Sequence, residues 1–187
     1  MELYIILSTL VIFLSLQVYG VFKNKNLEKF FKLSFYYSIF VVFIAWFGIS
    51  FLQIKAWQSM GSPAMYLAPP YESFIYAFEY HFHRFLLYYL IALVVALIFL
   101  IYTKRLNKKS GELFFEKEEP YIAAISILAM GATGLTFSWI YYLLAIFVIP
   151  VFISLIKKIF IDEIERFPLR FLWLPFAILV ILVNILL

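Results

Sequence analysis

Cysteine is absent from all 187 residues, which removes disulfide frameworks and every thiolate-ligated metal site from consideration. Charge is scarce as well. Asp, Glu, Lys and Arg make up 14% of the chain against 66% hydrophobic residues, whereas a soluble domain carries about 25% charged and 45–50% apolar. A water-soluble globular enzyme is therefore excluded, and so is a disordered chain, which is charged and poor in aromatics. Histidine occurs only at His81 and His83, and Asp162 is the sole aspartate. No Ser-His-Asp or Cys-His set, HExxH helix or phosphate-cradling glycine loop can be assembled from such a stock. Two positions apart on one helix, the two imidazoles point about 200° apart and cannot grip one haem from opposite faces.

What the sequence does have is long apolar runs. A helix crossing the roughly 30 Å hydrocarbon core needs about 20 mostly apolar residues. Six stretches qualify: 3–22, 33–54, 85–102, 120–137, 139–156 and 169–187. The runs are continuous rather than alternating, which rejects a transmembrane β-barrel. The expected fold is all-α, a polytopic integral membrane protein of about six transmembrane helices, with residues 1–187 forming one helical domain. The first stretch carries Glu2 in place of a basic start and has no small-x-small cleavage pattern after it, so it is expected to be a retained helix. The fourth and fifth stretches are joined by almost nothing, which predicts a tight hairpin around Ser138.

The basic residues predict an orientation. Lys23, Lys25, Lys29 and Lys32 lie between stretches one and two, five more lie in 103–119, and Lys157, Lys158, Arg166 and Arg170 surround the link from five to six. Only Lys55 and Arg84 fall on the other side, so 13 of the 15 Lys and Arg share one side. By the positive-inside rule, loops 23–32, 103–119 and 157–168 are cytoplasmic and both ends of the chain lie outside. The expected location is the cytoplasmic (inner) membrane. The net charge of +4 is met by anionic lipid headgroups and needs no nucleic acid partner. Aromatic residues make up 22% of the chain, and rings such as Trp57, Tyr66, Tyr71 and Trp173 are expected at the headgroup level.

The spans hold almost nothing ionisable. Arg170, at a cytoplasmic edge from which it can snorkel, is the one charged side chain inside them. Pumps and proton-coupled carriers usually need such groups. A carrier of neutral or lipid-like solutes remains compatible with the composition.

Three stretches could carry chemistry. In 55–84, the expected outer loop with an interfacial helix, Gly61, Pro63, Pro69 and Pro70 break the first half, and a helix resumes at Tyr71 and runs into the third span. On it Glu72, Tyr76, Glu79 and His83 fall on one face at spacings of four, three and four. Glu79 and His83, one turn apart, are the candidate metal ligands, although such a pair lacks the further ligands a metal site uses. The same stripe also reads as a hydrated face with a simple ion pair. The second stretch is the start of span four, where Glu116, Glu118 and Glu119 precede Pro120. Acids and a first-turn proline suit a helix N-terminus without any chemistry. The small residues Ala129, Gly131, Ala132, Thr133 and Gly134 then predict close helix approach and a central position for span four. The third stretch leads into span six through Pro168, and Pro175 is expected to kink that helix, as Pro150 is in span five.

The second and third stretches together resemble the C-terminal half of the prepilin peptidase family. Residues 111–134 and then 167–177 share the order, spacing and sidedness of that family's cytoplasmic helix start, small-residue helix and later P-x-x-P-F-like start of a final helix. The resemblance implies a membrane aspartyl protease using two aspartates, one to activate water and one to share its proton. The family's G-x-G-D motif is missing here. Glu118 or Glu119 stands near the place of one aspartate, and no matching acid begins span two. The implied activity is thus lost, and no catalytic residue carries over.

The leading expectation is a non-catalytic membrane protein, a structural or accessory subunit that contacts membrane lipids and other membrane protein subunits and holds no cofactor. Two other classes stand beside it. One is a membrane enzyme, peptidase-like at Glu118 or Glu119 or metal-dependent at Glu79 and His83. The other is the carrier of neutral or lipid-like solutes.

Overall fold

The computed structural model describes residues 2–23, 27–109, 115–134, 138–161 and 169–186. Seven α-helices order these residues: α1 Glu2–Phe22, α2 Glu28–Met60, α3 Phe74–His81, α4 Leu87–Lys109, α5 Glu119–Ala129, α6 Ser138–Ile161 and α7 Trp173–Leu186. No strand occurs among the described residues. Asp162, Arg166, Pro168 and Gly111 lie outside them.

Three helical stretches, Leu3–Phe22, Glu28–Met60 and Phe74–Lys109, are long and apolar enough to cross a membrane. This is the fold of an all-helical, membrane-embedded chain. Among the described residues the remaining apolar stretches, Glu119–Thr133, Ser138–Phe152 and Trp173–Leu186, are of 10–17 residues. The fourth expected span, 120–137, is α5 followed by a 3-10 turn, Met130–Thr133, and a left-handed Gly134 with φ 65°. Gly131, Thr133 and Gly134 are poor helix formers, and a glycine at positive φ is the usual way a helix closes. The hairpin expected around Ser138 is tied by that residue's hydroxyl, which donates to the Met130 carbonyl at 2.9 Å.

The central position expected of span four holds for α5, each of whose residues is buried, although of the small residues that predicted it only Ala129 lies in α5 and Gly134 is exposed. The helix packs against α4, α2 and α7. The two ends of the α4–α5 pair are fixed by named contacts. At one end Lys104 lies over the Tyr121 ring, 4.2 Å from its centroid. At the other, a Cβ added to Gly131 would stand 2.8 Å from the Tyr89 Cα. The helices are therefore antiparallel, and only glycine permits the approach at the second point. Ala92 and Ala96 of α4, with Ala123 and Ala124 of α5, are fully buried along the same seam.

Two expected boundaries move. Neither Gly nor Pro occurs between Ile54 and Gly61, so α2 runs on to Met60 instead of stopping near Ile54. Its extra turns carry Trp57, which packs between Tyr76 and Tyr80 at 5.9 and 5.6 Å between ring centroids. With Ile54, Ala68 and Ala77 it forms a second, smaller core. This hood covers the end of the bundle opposite Lys104, and in it the Trp57 ring is buried against protein. In α7, Pro175 is the third helical residue. A 3-10 turn, Leu169–Phe171, precedes it, so Pro175 begins a helix and does not kink one. The carbonyl of Phe171, which a residue with an N–H would have engaged, falls where the chain changes from 3-10 to α.

Candidate functional site

The helix that carries Glu79 and His83 begins at Phe74, so Glu72 stands outside it and the expected four-residue stripe is not assembled. Glu79 ends up near the close of α3, and His83 on a π-helical turn, Phe82–Leu86, that joins α3 to α4 without a break. A π turn is wider than an α turn, so a spacing of four across it no longer brings two side chains directly above one another. Both residues are exposed, and no ion pair joins them. Among the described residues no group of three or more His, Asp or Glu gathers in the manner of a metal centre. Tyr76, second of the expected stripe, turns to Trp57.

The structured polar cluster lies at the other end, where α4 finishes and α5 and α7 begin. Glu119 opens α5 and is 4% exposed. One carboxylate oxygen, Oε1, accepts from the indole Nε1 of Trp173 at 2.9 Å. The other, Oε2, accepts from the backbone N–H of Glu116 at 3.2 Å, while the Glu119 N–H donates to the Glu116 carbonyl at 3.1 Å. That reciprocal pair is the back half of a capping box, in which an acid three residues into a helix turns to an N–H before it. Pro120 follows within the first two helical positions, where its missing N–H is not needed.

Trp173 is fully buried. It is the hub of this end of the bundle. Phe99 of α4 lies 5.2 Å from it and Phe147 of α6 lies 6.3 Å away, both edge-on. Its carbonyl accepts from the buried Tyr142 hydroxyl at 2.8 Å. One chain of bonds therefore runs from α6 through the first residue of α7 to the first residue of α5. Asn107 extends it to α4. Its side-chain amide donates to the Phe115 carbonyl at 2.7 Å and accepts from the Phe115 N–H at 3.0 Å, pairing with that backbone as a strand neighbour would. The Lys104 ammonium donates to the Tyr121 hydroxyl.

This arrangement binds four helices together. Both Glu119 oxygens are engaged by fixed donors in a dry setting, whereas a general base must reach a substrate proton directly or through one water. A carboxylate at a helix start needs donors, and that requirement was the one hint in the sequence that a distant N–H such as the Trp173 indole would be drawn to it. Comparison with protein families, with curated proteins and with solved structures finds no match.

Proposed function

We propose that this chain is a non-catalytic, six-span protein of the cytoplasmic membrane, acting as a structural or accessory subunit against other membrane proteins. In this reading loops 23–32, 103–119 and 157–168 face the cytoplasm and both ends of the chain face out. The observation that supports it is a stripe on α2. Tyr37, Phe40, Ile44 and Phe47 are all more than half exposed, and they follow one another at spacings of three, four and three. That spacing makes one continuous exposed face of aromatic and branched side chains, a face that can pack on another helix. The buried polar groups at the Glu119 end, by contrast, are taken up in holding the bundle together.

The test is native mass spectrometry on protein extracted gently from its own membrane. The expected result is co-purification with other membrane subunits at fixed stoichiometry. A solitary chain that turns over a substrate or retains a redox cofactor overturns the proposal.

A further inference from the structure

The two faces of α4 differ in kind. Tyr89, Ala92, Ala96, Leu100, Thr103 and Asn107 are buried against the bundle. On the opposite side Val94, Ile98, Ile101, Arg105 and Lys108 follow one another at spacings of four, three, four and three, which places them in one row. Val94, Ile98 and Ile101 are at least half exposed, as is Tyr102 beside them. Arg105, Lys108 and Lys109 are exposed as well. An open apolar strip thus leads straight into three cations.

The depth of that join follows from length. Between Arg84 and Lys104 the chain has 19 consecutive residues without a charge, a helical length of about 28 Å against a hydrocarbon core of roughly 30 Å. Arg105 therefore stands where acyl chains give way to headgroups. The negative end of the helix dipole accounts for Lys108 and Lys109 in the last turn. Its effect fades within that turn, and Arg105 lies before it. The end of α4 is also fixed, because Asn107 on its buried side bonds both backbone groups of Phe115. Lys104 is tied to the Tyr121 hydroxyl, and Glu119 is taken up by the Trp173 indole and the Glu116 N–H. Glu116 and Glu118 have partners of their own, and among the described residues Arg105, Lys108 and Lys109 form no ion pair. Phosphate is the anion that lies at this depth around a membrane protein, with hydrocarbon directly beside it.

We infer that this face of α4 is a binding site for one anionic phospholipid, its phosphate on Arg105 and Lys108 and its acyl chains along Ile101, Ile98 and Val94. The guanidinium presents paired donors that match phosphate oxygens. The two lysines favour a headgroup of net negative charge over one whose phosphate is offset by an ammonium. This site depends on the membrane setting alone and is independent of the accessory-subunit reading.

The experiment uses the full chain in mild detergent and native mass spectrometry with phosphatidylglycerol, phosphatidylcholine of the same acyl chains, and glycerophosphate without acyl chains. Phosphatidylglycerol is expected to be retained at least about tenfold better than phosphatidylcholine, a difference of about 1.4 kcal/mol. Arg105→Gln with Lys108→Gln should abolish that preference. Lys55→Gln with Arg84→Gln, which removes two exposed charges from the opposite end, should keep it. Equal retention of the two lipids, or an unchanged preference without Arg105 and Lys108, overturns the site. So does an equal loss in the two double variants, since net charge alone would then attract the lipid. Glycerophosphate binding as well as the lipid overturns it too, because a free phosphate would then be the ligand.

Discussion

A carboxylate that loses its donors inside a dry bundle is costlier than the bond itself is worth, because the remaining charge has no water to turn to. Trp173→Phe removes the indole N–H that donates to Glu119 Oε1, together with part of the ring volume packed among Phe99, Phe147 and Tyr142. The expected loss is roughly 1.5–3 kcal/mol of stability, the range for hydrogen bonds to charged groups, read from denaturant or thermal unfolding in detergent. Glu119→Leu, which has no acceptor, in the same background separates the bond from the shape. If the two residues act through this contact, the double variant loses less than the two single losses added together, by a coupling of about 0.5–3 kcal/mol. Strict additivity would mean that the 2.9 Å contact contributes nothing of its own. The residue that carries this end was hidden from sequence reasoning for a physical reason. A tryptophan near a span end is usually read as interfacial, and only its partner in sequence-distant α5 makes it a hub.

At the scale of helices, the α4–α5 pair shows what a small residue does. Gly131 has Tyr89 Cδ1 2.7 Å from the place of an added Cβ, and the neighbouring Tyr89 Cα belongs to backbone that cannot swing aside. Gly131→Ala should therefore push the helices apart and cost about 1–3 kcal/mol, the usual penalty for overfilling a tight contact. Gly48, within α2, meets nothing within 4 Å. Gly48→Ala should be neutral or add up to about 1 kcal/mol through helix propensity. Unfolding of the two variants side by side checks the opposite signs, and equal effects would remove the close-approach argument. The centrality of span four was legible beforehand because small residues in a run carry one meaning in a helix bundle. Helix ends were less legible. The turns of α2 beyond Ile54 form because Trp57 gains Tyr76 and Tyr80 as neighbours, and tertiary contacts of that kind leave no periodic mark. The π turn at Phe82–Leu86 was equally invisible, and it is what undoes the one-face alignment of Glu79 and His83. Pro175 was read as a kink because apolar content places a span but does not say on which residue its α-helix begins.

For the whole molecule, the absence of cysteine makes orientation directly measurable. Single cysteines replacing Lys109 and Glu72, both exposed and at opposite ends of the bundle, report on the two membrane faces. With an impermeant maleimide on intact cells, Glu72→Cys should label and Lys109→Cys should label only after lysis, as the basic loops require. The reverse pattern would invert the whole topology. The same frame leaves α2 with few buried residues, only five along its 33, and lipid can cover the rest as readily as protein. Spacing alone does not separate the two coverings, since Tyr141, Leu144, Val148 and Val151 of α6 repeat that of Tyr37, Phe40, Ile44 and Phe47, and crosslinking does. If α2 docks a partner, a photoreactive amino acid at Phe40 or Ile44 should give a discrete heavier species in native membranes. At Ile98, also exposed but on α4, it should give only lipid adducts. A discrete product at Ile98, or none at Phe40 and Ile44, would show that the stripe on α2 faces the bilayer and that any partner of this chain docks elsewhere.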